Sequence, residues 1–254
     1  MNARPYILKE TNWKSVKGAD YDVAVLPWGA TEAHNYHLPY GTDIYQTEAI
    51  AAESAKLAWD KGAKCIVLPA IPFGVNTQQM DIPLTINMNP STLSVIVADI
   101  IDSLEQQGIK KLVILNGHGG NDFKFIIREL QNSTNVYLCQ VNWYTIPAEA
   151  GLFAEAGDHA DEMETSMMLN LFPDLVLPQS EAGEGKGKLP KIQGMKEGWA
   201  WAPRRWTQVT EDTGVGDPRQ ATVEKGVRYF DSISRKIGQF LVEFANADTE
   251  NMYE

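Results

Sequence analysis

Two cysteines and four histidines are all that 254 residues contain, and the 22 basic side chains fall short of the 33 acidic ones. Each shortage excludes something. Two thiols, Cys65 and Cys139, cannot build a disulfide framework. Both fall inside apolar β-like runs, which reads as buried free thiols in a reducing compartment. A net charge of −11 argues against nucleic acid or an anionic membrane surface as the main partner. No uncharged apolar run reaches the roughly 20 residues needed to span a bilayer, and the opening stretch MNARPYILKETNWK has no apolar secretion core. The expectation is a cytoplasmic protein with neither a membrane nor a nucleic-acid partner. The apolar fraction, 44%, is ordinary for a folded chain of this size, which is long enough to bury a substantial core.

What is present alternates. The apolar runs YDVAVLP (21–27), AKCIVLPAI (63–71), KKLVILNG (110–117) and NVYLCQVNWY (135–144) read as strands. Helical spacing of apolar residues marks 92–107, 121–131 and a long amphipathic stretch from Val223 to Phe244, and the alanine-rich 45–60 also reads as helix. Near-continuous apolar strands joined by helices predict a mostly parallel sheet covered on both faces, a three-layer α/β/α fold in one domain over 1–254. Residues 179–218 break the pattern, being rich in Gly, Lys and Trp with little periodicity. A segment of this length and irregularity suits a flap or a subunit contact, or a surface excursion packed on itself. Its tryptophans, Trp199, Trp201 and Trp206, normally seek a surface to cover.

The polar residues gather at predicted strand ends. All four histidines, His34, His37, His118 and His159, lie in three segments: WGATEAHNYHLPYGTD (28–43), NGHGGN (116–121) and DHADEMETSMML (158–169). In open α/β sheets ligands bind beyond the carboxyl ends of the strands, and parallel strands bring the three segments to one edge. Taken singly, Glu32, His34 or Asp43 reads best as part of a hydrogen-bonded loop. Together with His118 they form a mixed carboxylate–imidazole set suited to Zn²⁺, Mn²⁺ or Fe²⁺. Glycines around His118 allow close approach, although a turn alone would use them too. Glu164 falls on an otherwise apolar helix stripe with Ala160, Met167 or Met168, and Leu171, a costly place for a carboxylate unless a cation pairs with it. Glu162 points off that stripe and reads as a first-turn acid favouring the helix dipole. His159 precedes the helix, free to face the site. His37 reads either as support behind a ligand or as a loop cap. Trp143, at a strand end, reads as core packing or as a wall against a flat substrate.

These residues also carry a resemblance. GATEAHNYHLPYGTD resembles the creatininase-type signature of Glu-x-His, His-Leu-Pro and Thr-Asp. NGHGGN and HADEMETSMML are similar to the family's second and third motifs, and GVGDPRQATVEKG (214–226) to a fourth, all in order along most of the chain. The resemblance implies a three-layer α/β fold and a two-metal centre that hydrolyses a non-peptide C–N bond, often in a cyclic amide or formamide. It also implies a homo-oligomer, commonly a hexamer. Matched position by position, it makes Glu32 and His118 ligands of one metal and His34 of the other, with Asp43 bridging. His159 falls where the family has a histidine beside the substrate. Gly119 and Gly120 stand where creatininase proper has a tyrosine and a ligand glutamate, and Glu164 is the expected replacement for the latter. The segment PLT at 83–85 departs from the family's Pro-Gly-Thr. These differences argue against creatinine as the substrate.

Two divalent ions about 3.5–4 Å apart lower the pKa of a shared water towards neutrality and polarise a carbonyl. An amide nitrogen leaves poorly without a proton, and His159 is the group expected to deliver it. The competing expectation is a catalytically silent relative that binds metal or a small ligand without turnover.

Overall fold

The computed structural model describes residues 3–154 and 157–254. Its centre is a sheet of four parallel strands in the order β2-β1-β3-β4: β1 (Val23–Trp28), β2 (Cys65–Val67), β3 (Lys111–Asn116) and β4 (Tyr137–Asn142). β1 and β3 are buried along their whole length, as expected for strands covered on both faces. Register is continuous at the centre, with Ala24 opposite Leu112 and Trp28 opposite Asn116. Pro27 sits in this central strand although it has no N–H to donate. Its carbonyl accepts from Ile71 on the β2 side, beyond the last rung, Val25 with Val67, so no ladder donor is missed there. β2 ends at Val67, short of its apolar run, because Pro69 interrupts it.

Alternation along the strands divides the core in two. Val23, Val25, Cys65, Val67, Val113 and Leu115 face α1 (Thr42–Asp60) and α5 (Val223–Asn246), with Met167 of α4 (Glu162–Leu171) packed alongside. Ala24, Leu26, Trp28, Ile66, Leu112, Ile114 and Leu138 face α2 (Pro90–Gln106) and α3 (Lys124–Leu130). Three layers result, as the patterning predicts. Local chemistry sets the helix ends. Pro90 opens α2 where a missing N–H costs nothing, and Asp161 and Thr222 cap α4 and α5 with their side chains. The C-terminus of α5 is closed by Lys111, whose Nζ donates to the carbonyls of Phe244, Ala245 and Ala247 at 2.8, 2.8 and 2.7 Å.

Two expectations, for Cys139 and for Trp143 as a substrate wall, need correction, and that for Glu162 is extended. Cys65 is buried but Cys139 only half-buried, because β4 is an edge strand. Glu162 does more than favour a helix dipole. It is buried, accepts from the Ala154 N–H at 2.8 Å and forms an ion pair with Lys225, tying α4 to the start of α5. Trp143 is fully buried and donates from Nε1 to Thr47 Oγ1 at 3.0 Å, so it has no face to offer a substrate. No helix among the described residues is long and apolar enough to cross a membrane.

Candidate metal centre

The loops leaving β1 and β3 meet above the sheet, and α1 begins between them. Gly117 makes this possible. A Cβ there would lie 1.9 Å from Thr47 Oγ1 and 2.7 Å from Trp143 Nε1, so only glycine lets the turn after β3 lie against α1. The asparagines of NGHGGN build the turn itself. Asn116 Nδ2 donates to the His118 carbonyl at 2.9 Å, and Asn121 Nδ2 donates to Asn116 Oδ1 at 3.0 Å.

Within this crevice Glu32, His34, Asp43, His118 and His159 are all buried. His118 Nδ1 lies 2.9 Å from Glu32 Oε1 and 3.0 Å from Asp43 Oδ2. His34 Nε2 lies 3.1 Å from Asp43 Oδ1 and 3.9 Å from Glu32 Oε1. His159 Nδ1 lies 3.8 Å from Glu32 Oε1. Three overlapping groups each bring their donor atoms within 4.8 Å of one another: Glu32, Asp43 and His118; His34, Asp43 and Glu164; and Glu32, His34 and His159. Asp43 belongs to the first two groups. Glu164, partly buried, therefore stands with His34 and Asp43, and its Oε2 accepts from the Ala160 N–H at 2.5 Å.

All three cluster imidazoles are oriented in the same way. His34 Nδ1 meets the Glu32 carbonyl at 3.1 Å, His118 Nε2 the Val75 carbonyl at 3.0 Å and His159 Nε2 the Ala33 carbonyl at 2.8 Å. A carbonyl only accepts, so each of these nitrogens carries the proton. The other nitrogen of every ring then faces the carboxylates. Histidines that bind metal are oriented by this same device, the far N–H tied to a carbonyl and the near lone pair turned inward. Asp43 Oδ2 is buried without a hydrogen bond of acceptable direction, a further sign that the set is shaped for cations.

The charges are strongly coupled. Burial opposes the charged form of His34, yet Asp43 pushes it up to about 10. His118 is likewise raised well above the usual imidazole range by Glu32 and Asp43 despite burial. Asp43 is held below the ordinary carboxylate range by His34 and His118, against the upward push of burial. Glu164 is pushed up to about 8 by burial, with the charge of His34 opposing. His159 goes the other way: burial and the neighbouring His34 lower it.

His37 lies outside the cluster. It is buried, its Nε2 meets Thr165 Oγ1 at 2.9 Å, and burial with repulsion from His34 takes it down to about 4. It buttresses α4 one residue from Glu164. Several groups at the site carry no signal in the sequence. Gln79, on the single turn Thr77–Gln79, donates to Glu32 Oε2 at 2.5 Å, and Gln46 Nε2 donates to the Glu164 carbonyl at 2.9 Å. Gly120 could hold no ligand side chain. A Cβ there would fall 2.2 Å from the Val75 carbonyl and 2.5 Å from His118 Nε2.

The family model for creatininase, described as creatinine amidohydrolase, matches residues 9–241. The chain belongs to the creatininase family. A creatinine amidohydrolase of Pseudomonas putida is 30% identical over 192 residues, 66% of this chain and 72% of that one. A mycofactocin precursor peptide peptidase of Mycobacterium tuberculosis is 26% identical over 233 residues, 85% of each. Among solved structures, a Bacteroides fragilis protein provisionally described as a creatinine amidohydrolase is 42% identical, covers 100% of both chains and superposes with a TM-score of 0.91. A mutant creatininase of Zn-Zn type, 22% identical over 96% of this chain and 100% of that one, has a TM-score of 0.79 and shows the shared fold. The relatives thus include one named for creatinine and one named for a peptide.

Proposed function

We propose that this chain is a two-metal amidohydrolase that cleaves a non-peptide C–N bond in a small cyclic amide or formamide. The observation that carries the reading is the orientation of the imidazoles, three far N–H groups tied to carbonyls and three near nitrogens turned onto shared carboxylates. Glu32, Asp43 and His118 would hold one divalent ion, and His34, Asp43 and Glu164 the other, with zinc, manganese or iron suited to such donors. When bound, the ion pair supplies an acidified water and polarises the amide carbonyl. Gln79 fixes Glu32, and Gln46 with His37 and Thr165 fixes the turn of α4 that carries Glu164. His159, neutral through burial, can take a proton at Nδ1 and return it to the departing nitrogen. The small-molecule substrate would differ from creatinine, since Gly119 and Gly120 stand where creatininase proper has a tyrosine and a ligand glutamate. Exposed Trp199, Trp201, Leu84 and Ile192 support a homo-oligomer.

The test begins with metal content after purification without chelator, where about two equivalents of Zn, Mn or Fe are expected. Substituting Glu164→Gln should leave about one. Cyclic amides and formamides are then assayed beside short peptides of matched size. Turnover confined to the peptides would overturn the substrate class, and bound metal without turnover on either would mark a silent binder. His159→Ala should keep both metals and lose about 10²- to 10⁴-fold in rate. Lost metal in that variant would instead make His159 a ligand alongside Glu32 and His34.

A further inference from the structure

Residues 206–216 do not hang over the site as a free flap. Trp206 is 2% exposed and opens a single helical turn, Trp206–Val209. Its ring meets His159 edge-on, with centroids 5.3 Å apart at 89°. His159 also lies against His34, with centroids 4.2 Å apart, so the imidazole touches two rings. The backbone of His159 is fixed as well, pairing with Val215 through Val215 N–H to His159 carbonyl at 2.8 Å and His159 N–H to Val215 carbonyl at 3.0 Å. Trp206 itself is pinned. Its Nε1 donates to the Thr213 carbonyl at 2.9 Å, and the Arg204 guanidinium lies 4.4 Å from its ring centroid while pairing with Asp158, the residue before His159. Thr207 bonds Asp81, close to the turn that carries Gln79 and hence Glu32.

We infer that Trp206 is a positioning residue for His159. It holds the imidazole in the plane from which Nδ1 faces Glu32 while Nε2 stays on the Ala33 carbonyl. At 2% exposure it has almost no surface for a substrate, which separates this role from that of a pocket wall. Carbonyl, backbone bridge and two ring contacts together hold His159 in one orientation, whereas the Ala33 hydrogen bond alone would let the ring swing about that contact. The inference rests on the reading of His159 as the proton carrier.

The experiment compares Trp206→Ala, Trp206→Phe and His159→Ala as metal-loaded proteins. Tautomer-specific nitrogen NMR of the imidazoles needs no substrate. Trp206→Ala should keep both metals but lose the single sharp His159 signal set, and Trp206→Phe should restore it. On whichever amide the wild type turns over, Trp206→Ala should lower kcat about 10- to 100-fold, the cost of a small misplacement, with KM within about twofold. Trp206→Phe should recover most of the rate, and it also serves if the alanine variant does not fold. A raised KM at unchanged kcat, or an unaltered His159 signal in Trp206→Ala, would overturn the inference. A His159→Ala protein with full rate would instead overturn the reading beneath it.

Discussion

Trp201 and Trp206 lie five residues apart in the same irregular segment, yet Trp201 is 85% exposed and Trp206 2%. Their side chains are identical, so their surroundings make the difference. Trp206 has a carbonyl for its N–H, a cation over one face and an imidazole at its edge. Trp201 precedes Pro203 on a stretch without regular structure and, with Gly119, Gly120 and Phe125, lines an open cavity of about 680 Å³. Trp199 is intermediate in kind, since its N–H reaches Glu197 at 2.8 Å but its ring stays 76% exposed. One end of the segment is thus packed against His159, and the other stands exposed on a cavity beside the Gly119–Gly120 turn.

The largest expected effect removes what the closed end covers. Asp43→Asn takes a charge from both proposed cation groups, and both metals and all measurable hydrolysis should be lost, read by metal analysis and assay. If metals and rate survive, the closed end covers a hydrogen-bonded loop and the contrast has no functional meaning. Next comes the base on which the segment closes. Lys225→Met leaves the Glu162 carboxylate buried without its ion partner, which should cost about 2–4 kcal/mol, below the 3–5 of a fully enclosed pair because Lys225 is partly exposed. At about 2–4 °C per kcal/mol for a chain of this size, differential scanning should show Tm lower by roughly 5–15 °C.

A smaller effect concerns pH. In chelator-stripped protein, the raised pKa of His34 contributes stability that is complete below its unfolded value of about 6.5 and is lost as pH rises through about 10. The lowered pKa of Asp43 contributes stability above about 4 that is lost in acid. Cations replace those ring protons, so the gap in Tm between metal-loaded and stripped protein should widen from pH 6.5 to 9. A constant gap would disconnect the histidines from the metals. The smallest effect belongs to the open end: Trp201→Ala should change stability by no more than about 0.5 kcal/mol. A fall in oligomer mass by light scattering would show that a second copy covers Trp201, sharpening the contrast into one between site and interface.

Much of the fold was legible because burial on both faces leaves a plain trace, the unbroken apolar runs of β1 and β3, and because helix spacing marks α2 and α5. Strand length was less legible at β2, where Pro69 outranks the apolar pattern. The motif segments were legible as candidates, and the structure brings Glu32, His34, Asp43, His118, His159 and Glu164 together. His37 was ambiguous in the sequence because its neighbour Thr165 is 128 positions away. Trp143 was ambiguous because a tryptophan at a strand end can face either the core or a ligand, and only the packing of α1 against Gly117 decides. Gln79 and Gln46 left no trace, since a neutral amide in a loop or helix looks the same whether or not it holds a carboxylate.

The sequence by itself determined which chemical groups exist and at which edge of the sheet they emerge, because strand direction and residue order follow from local pattern and covalent connection. Only the tertiary structure decided which nitrogen of each imidazole faces the carboxylates and which of three tryptophans stands beside them. Except at His34, whose ring meets a carbonyl two residues away, those choices depend on carbonyls and rings supplied by segments up to a hundred or more residues away, whose approach is fixed by packing.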